Sequence, residues 1–356
     1  MVPEQWAEAA ALALRRLEQE QGERGLLREV KGAGDDPPGQ TTGRFAYLWP
    51  YSQVVMAELL LAGWRSGAQV ADPSLRQRLA GLEHYWNPEV AAYLPVAEPP
   101  GRASGDLYYD DNAWVGLALL QWSRMTRARS ALVRAAQVFS LLAGAWDRDP
   151  AKPAPGGIPW TRAPGETTRN TCSNGPSAEL GAGLYLATGE PRYLEWARAL
   201  ERWTTTALLG HDGLYRDHLR LDGSIEETRW SYNQGSMIAA NALLHRATGE
   251  PAYLERARTV AAASVAHYAD ARLMAQPTEF NAIFLRGLLV LHATRPDETL
   301  HRFALGHAEH LYREQVDATS GRVIGPVQDS GVLHQAGAIG VFALAAWPSS
   351  RLHLLV

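Results

Sequence analysis

Three observations in this 356-residue chain predict an all-α fold, specifically an (α/α)6 barrel or six-hairpin toroid. A helix–turn–helix segment recurs, helical periodicity sorts the chain into two alternating sets of six helices, and no strand-rich stretch competes. The chain therefore reads as one domain over residues 1–356.

The repeat is explicit. Leu184-Tyr185-Leu186-Ala187-Thr188-Gly189-Glu190-Pro191 returns 60 residues later as Leu244-His245-Arg246-Ala247-Thr248-Gly249-Glu250-Pro251, and Tyr193-Leu194-Glu195 returns as Tyr253-Leu254-Glu255. Each copy predicts an apolar helix, a Thr-Gly-Glu turn and a second helix. Gly past the first helix suits the positive φ of a C-terminal cap. Pro opens the second, where the first helical N–H has no partner to lose. A weaker third copy starts at Thr126 and keeps Leu132 and Ala135.

The rest of the chain follows the same alternation. One set, about 4–20, 74–86, 130–147, 191–208, 251–268 and 299–315, is amphipathic and charged on one side. The other, about 50–65, 111–124, 174–187, 231–247, 279–293 and 334–346, is rich in Ala, Gly and Leu and poor in charge. The second set belongs inside, lining a central cavity, and the first wraps it. Gly/Pro-rich segments 32–43, 98–105 and 150–166 fit long loops at the barrel mouth, and short β pieces fit near 156–162 and 213–226.

Composition excludes several function classes. At 46% hydrophobic the chain has material for a large core, and a net charge of −4 carries no basic excess to attract nucleic acid. Cys172 is the only cysteine, which rules out an internal disulfide or a thiolate metal cluster. The eleven His residues show no His-Glu-x-x-His spacing, so no metal or other cofactor is expected. Residues Met1 to Glu20 read as an amphipathic helix interrupted by Glu4, Glu8, Arg15 and Arg16, without the basic start and apolar run of a signal peptide. No apolar stretch reaches the roughly 18 residues of a membrane helix. The expectation is a soluble, cytoplasmic monomer with no membrane partner.

Chemistry is concentrated where the inner helices begin. Their openings carry Leu48-Trp49-Pro50-Tyr51, Tyr109-Asp110-Asp111-Asn112, Cys172-Ser173-Asn174-Gly175, Trp230-Ser231-Tyr232-Asn233-Gln234-Gly235, Glu279-Phe280-Asn281 and Leu333-His334-Gln335. Six helix N-termini with free N–H donors, amides and aromatic rings make a pocket suited to sugars, so an oligosaccharide or polysaccharide is the expected partner. Asp110-Asp111 stands out. One aspartate there is accounted for as an N-cap or first-turn acid; a second, flanked by Tyr108, Tyr109 and Trp114, is not. Adjacent carboxylates push their pKa values apart, and a split pair serves glycosidic chemistry. Neighbouring residues keep their carboxyl groups near the roughly 5–5.5 Å of a retaining pair. Asn174, Asn233 and Gln234 are candidates to bind hydroxyls, and Trp49, Tyr109 and Tyr232 to stack on a sugar ring. Each also has a plainer reading: Asn174-Gly175 as a turn or cap, Asn233 as a cap, Tyr232 and the tryptophans as packing.

The segment Tyr109-Asp110-Asp111-Asn112-Ala113-Trp114, together with Trp230-Ser231-Tyr232-Asn233-Gln234-Gly235, resembles glycoside hydrolase family 76. Ser173-Asn174-Gly175, the Ala-Thr-Gly-Glu turns and Gly213-Leu214-Tyr215-Arg216-Asp217 occur in the family's order, so the similarity covers roughly residues 40–300. The resemblance implies an (α/α)6 α-1,6-mannanase with a retaining mechanism. It further implies Asp110 as nucleophile, Asp111 as general acid/base, and Asp217 at an acidic position that contacts the sugar.

Other readings stay open on the residues alone. An unsaturated glucuronyl hydrolase or an N-acylglucosamine epimerase shares the barrel, and the latter would draw on a His such as His334. A non-catalytic glycan-binding relative would keep the pocket, and an inverting enzyme would pair a carboxylate with Asp217 or Glu279. A helical scaffold for protein partners fits least, because the inner-helix mouths are polar.

Overall fold

The computed structural model describes residues 1–20, 22–28, 45–64, 73–98, 102–165, 168–269, 272–324 and 331–355. The expected loop at 32–43 lies outside them. Among the described residues, twelve α-helices run in order: α1 (Pro3–Glu18), α2 (Leu48–Trp64), α3 (Pro73–Gly81), α4 (Tyr109–Thr126), α5 (Arg129–Gly144), α6 (Thr171–Thr188), α7 (Pro191–Leu208), α8 (Ser231–Thr248), α9 (Pro251–His267), α10 (Thr278–Thr294), α11 (Glu298–Gln315) and α12 (Val332–Ala346). Every expected helix is present. Five of the six inner ones begin one to three residues earlier than periodicity indicates; in α4 and α6 the added residues, Tyr109-Asp110 and Thr171-Cys172-Ser173, lengthen the helix without extending an apolar stripe.

Short strands complete the set: β1 (Trp86–Asn87) pairs with β2 (Ala92–Tyr93), and β3 (Arg169–Asn170), β4 (His218–Leu219) and β5 (Ile225–Glu226) form an antiparallel sheet in that order. The sheet supplies the β structure expected near 213–226. Near 156–162 the chain makes only isolated bridges, Tyr108 to Thr161 and Pro159 to Arg169.

Contacts group the chain into two compact units, each assembled from separate stretches. The first comprises Met1–Gly105, Pro277–Ala282 and Leu305–Pro348. Its centre is α12, apolar on all sides and packed against α1 and α2, as a helix without a polar face requires. Trp6 stacks on Phe342 at 5.8 Å, and the Trp347 indole N–H donates to the Leu60 carbonyl at 2.6 Å. Buried Arg78 donates to Glu58 at 2.9 Å.

The second unit comprises Asp106–Gln276, Ile283–Ala304 and Ser349–Val356. Here α6 lies between α4 and α8, while α5, α7 and α9 cover α4, α6 and α8. The repeat acquires a physical explanation in this unit. At the end of each inner helix a threonine hydroxyl donates to the carbonyl four residues back: Thr126 to Trp122 at 2.7 Å, Thr188 to Leu184 at 2.8 Å and Thr248 to Leu244 at 2.9 Å. The same hydroxyl accepts the N–H two residues on, at 3.3, 3.2 and 3.1 Å. The intervening residue is left-handed, with φ of +74° at both Gly189 and Gly249. In the weaker copy this conformation falls on Arg127, at φ +60°. Helices α8 and α10 touch through backbone, since a Cβ on Gly235 would lie 2.5 Å from the Phe284 Cα. Glu179 and Arg286, both buried, form a two-pronged ion pair between α6 and α10.

Candidate active site

The inner helices share one register. The fourth residue of each is Tyr51, Asn112, Asn174, Gln234, Asn281 or Gln335. The side chains of Tyr51, Asn112, Asn174, Gln234 and Gln335 hold backbone. Asn174 donates to the carbonyls of Ile158 and Asn170 at 2.9 and 2.8 Å and accepts the Ile158 N–H at 2.7 Å. Gln234 donates to the Tyr215 and Trp230 carbonyls at 2.8 and 3.2 Å and accepts the Tyr215 N–H at 2.8 Å. Gln335 treats Val323, Gly321 and Ala13 the same way, and the Tyr51 hydroxyl reaches the Gly25 and Arg78 carbonyls. Asn174 and Gln234 were expected to bind sugar hydroxyls; in the fold their amides meet backbone instead. Both are fully buried, and their amide groups are occupied by loop backbone.

The second and third residues of the same turns carry further titratable and polar groups. In the second unit these are Asp110 and Asp111 on α4, Cys172 and Ser173 on α6, and Tyr232 and Asn233 on α8. Asp110 and Asp111 are partly accessible yet densely surrounded. The Trp160 indole N–H donates to Asp110 Oδ2 at 3.1 Å. Buried Asp110 Oδ1 lacks a fully formed hydrogen bond, although the Cys172 thiol and the Asp111 N–H lie near enough to favour its charge. Burial outweighs these donors and lifts Asp110 to about 6. Asp111 is pushed well above the usual carboxylate range, first by burial and then by the charge of Asp110. The two aspartates thus differ: one has donors that favour its ionised form, the other has a neighbour that disfavours it.

Cys172 bridges the turns, in hydrogen-bond contact with both Asp110 and Tyr232, and burial pushes both the thiol and the phenol up. Asp217 is delivered to the same place by the sheet. Its carbonyl accepts the Thr171 N–H at 2.8 Å and its N–H donates to Glu226 at 3.1 Å, which ties it to the start of α6. Its carboxylate meets His218 Nδ1 at 2.9 Å and accepts from Asn233 Nδ2 at 3.4 Å. Asn233 Oδ1 and Ser173 Oγ are buried without a protein partner.

The second unit therefore brings Asp110, Asp111, Asp217, Tyr232 and Asn233 onto neighbouring turns. Tyr109, expected to stack on substrate, is only 7% exposed; the first position of α4 turns it into the protein. Tyr108 lies instead beside Trp160, ring centres 5.1 Å apart. Trp49 is half-buried at the second position of α2, in the first unit. Glu279 and His334 also belong to that unit, 3.7 Å apart. Sequence carries no signal that brings Trp160 or His218 to the site, since a lone residue in a loop or next to an acid has no spacing pattern, whereas Cys172 falls on one of the inner-helix openings. Among the described residues no group of three His, Cys, Asp or Glu could hold a metal ion.

A family model described as glycosyl hydrolase family 76 matches residues 26–325. The chain belongs to glycosyl hydrolase family 76. Its fold is the (α/α)6 barrel of that family. A family 76 mannosidase from Bacteroides thetaiotaomicron superposes with a TM-score of 0.82 at 22% identity, covering 96% of this chain and 98% of the other. The GH76A α-1,6-mannanase from Salegentibacter sp. HEL1_6 superposes with a TM-score of 0.75 at 23% identity, covering 96% and 99%. A mannan endo-1,6-α-mannosidase, DCW1 of Saccharomyces cerevisiae, is 28% identical over 193 residues, 50% of this chain and 41% of the relative. The chain spans about two fifths of the length of the curated relatives it matches.

Family membership corrects one expectation. The family 76 relatives DCW1 and DFG5 are cell-wall or membrane-anchored glycosyl hydrolases, which overturns the cytoplasmic assignment. That assignment rested on the first twenty residues, and these form the structural helix α1, with Trp6 and Ala10 in the core. Among the described residues no helix is long and apolar enough to cross a membrane.

Proposed function

We propose that this family 76 chain is a retaining glycoside hydrolase acting on α-1,6-linked mannosides. The observation that carries the reading is the asymmetry of the aspartate pair. Asp110 receives the Trp160 N–H and favours the carboxylate, whereas Asp111 is held protonated beside it. Asp110 attacks the anomeric carbon while Asp111 passes its proton to the glycosidic oxygen, so the C–O bond to the leaving sugar breaks as the ester to Asp110 forms. Asp111, now ionised, takes a proton from water, and that water's oxygen displaces Asp110 from the anomeric carbon. Asp217 and Tyr232, both partly accessible, bind the sugar in the reactive subsite, and buried Asn233 holds the Asp217 carboxylate through its Nδ2.

The relatives support the substrate class. The Salegentibacter α-1,6-mannanase becomes an inactive variant when two consecutive aspartates are changed to asparagine, and that variant was solved with α-1,6-mannotriose. The test is a comparison of α-1,6-, α-1,2- and α-1,3-linked manno-oligosaccharides with wild type and Asp110→Asn, reading the first-formed anomer by NMR. Cleavage of the α-1,6 substrate with α product, lost in the variant, is the expected result. Initial β product would replace retention by inversion, and full activity in Asp110→Asn would remove Asp110 from its role.

A further inference from the structure

We propose that Trp160 is a positioning residue that holds the Asp110 carboxylate and so makes Asp110, rather than Asp111, the nucleophile; the inference rests on the glycosidase reading above. The indole N–H meets Asp110 Oδ2 across 50 residues of sequence, and its backbone is fastened on two sides. Towards α4, the Trp160 carbonyl accepts the Tyr109 N–H at 2.9 Å, the Thr161 hydroxyl donates to the Leu107 carbonyl at 2.7 Å, and the Arg162 N–H donates to the same carbonyl at 2.9 Å. Towards α6, Asn174 grips both the N–H and the carbonyl of Ile158, and the Trp160 N–H donates to Thr168 at 3.0 Å. The Tyr108 ring packs against the indole, tilted 59° to it.

A donor held this firmly loses little conformational entropy when it meets its acceptor, and it favours the charged form of the carboxyl it touches. Among the described residues Asp111 has no comparable donor; burial and the charge of Asp110 both act against its ionisation. Of the donors that set Asp110 apart from Asp111, the Trp160 N–H counts most, ahead of the Asp111 N–H and the Cys172 thiol. Trp160 donates from outside the helix that carries the pair.

The experiment uses the full chain and two readouts. In the wild type, one of the twelve Trp indole N–H resonances should shift with pH as Asp110 titrates and stop shifting in Asp110→Asn; Trp160→Phe, which keeps a ring and removes the donor, identifies it. On a cleaved mannoside, Trp160→Phe should move the acidic limb of the kcat/KM profile up by about one pH unit and lower kcat about tenfold, with little change in KM. A packing role alone would leave that limb in place. The inference is overturned if the limb stays put, or if no indole resonance follows Asp110 in the wild type. If the wild type cleaves no mannoside, the glycosidase reading falls, while the wild-type titration, which needs no Trp160 variant, still decides the pairing.

Discussion

Asn174 and Ile158 exchange two hydrogen bonds, the amide donating to the carbonyl at 2.9 Å and accepting the N–H at 2.7 Å. An asparagine expected to touch sugar instead carries the strip that ends in Trp160. Asn174→Ala strands a buried N–H and two carbonyls. Each unsatisfied group costs about 1–3 kcal/mol, so a loss on the order of 3 kcal/mol is expected in urea unfolding. Mannoside turnover should fall as well, because the strip that Asn174 holds ends in Trp160.

Activity should be bell-shaped in pH. It rises as Asp110 ionises around 6 and falls at higher pH as Asp111 gives up its proton. Stability moves the other way. Burial raises both carboxyls above their unfolded values, so the folded state keeps protons that the unfolded chain releases from about pH 4 upward. The stabilisation is complete below that pH and is lost as pH rises through 6 and, for Asp111, beyond. Asp111→Asn removes the penalty and should raise Tm at pH 7.5 by a few degrees while abolishing normal turnover. Calorimetry across pH 4–8 checks both halves.

Arg127 occupies a left-handed position that the two stronger repeat copies give to glycine. A side chain there costs about 1–2 kcal/mol, partly offset because glycine gains entropy in the unfolded chain. Arg127→Gly should therefore stabilise the protein by up to about 1 kcal/mol, seen as a higher urea midpoint at unchanged m-value. Activity should stay at the wild-type level.

Glu179 and Arg286 are buried together with exposures of 0% and 2%. Arg286→Met leaves the carboxylate alone in the core and should cost about 3–5 kcal/mol. Adding Glu179→Leu should recover most of that, since the penalty lies in the unpaired charge more than in the lost pair. Urea unfolding of both variants against wild type measures the difference.

The helical elements are legible in the chain alone, because periodicity, Pro at the first helical position and left-handed caps are local features. The Thr-Gly-Glu turns returned as real caps, and the Asp110-Asp111 pair opens the second inner helix as its position in the repeat indicated. The family, too, was legible in two short segments. What each polar group at the inner-helix mouths holds depends on the folded chain and could not be read from the letters. Asn174, Gln234 and Asn233 look alike in a string of letters, yet two grip loop backbone and the third has an orphaned buried oxygen. An amide's role depends on which distant backbone reaches it first. For the same reason Trp160, in a loop without any periodic signal, could be joined to Asp110 only by the fold.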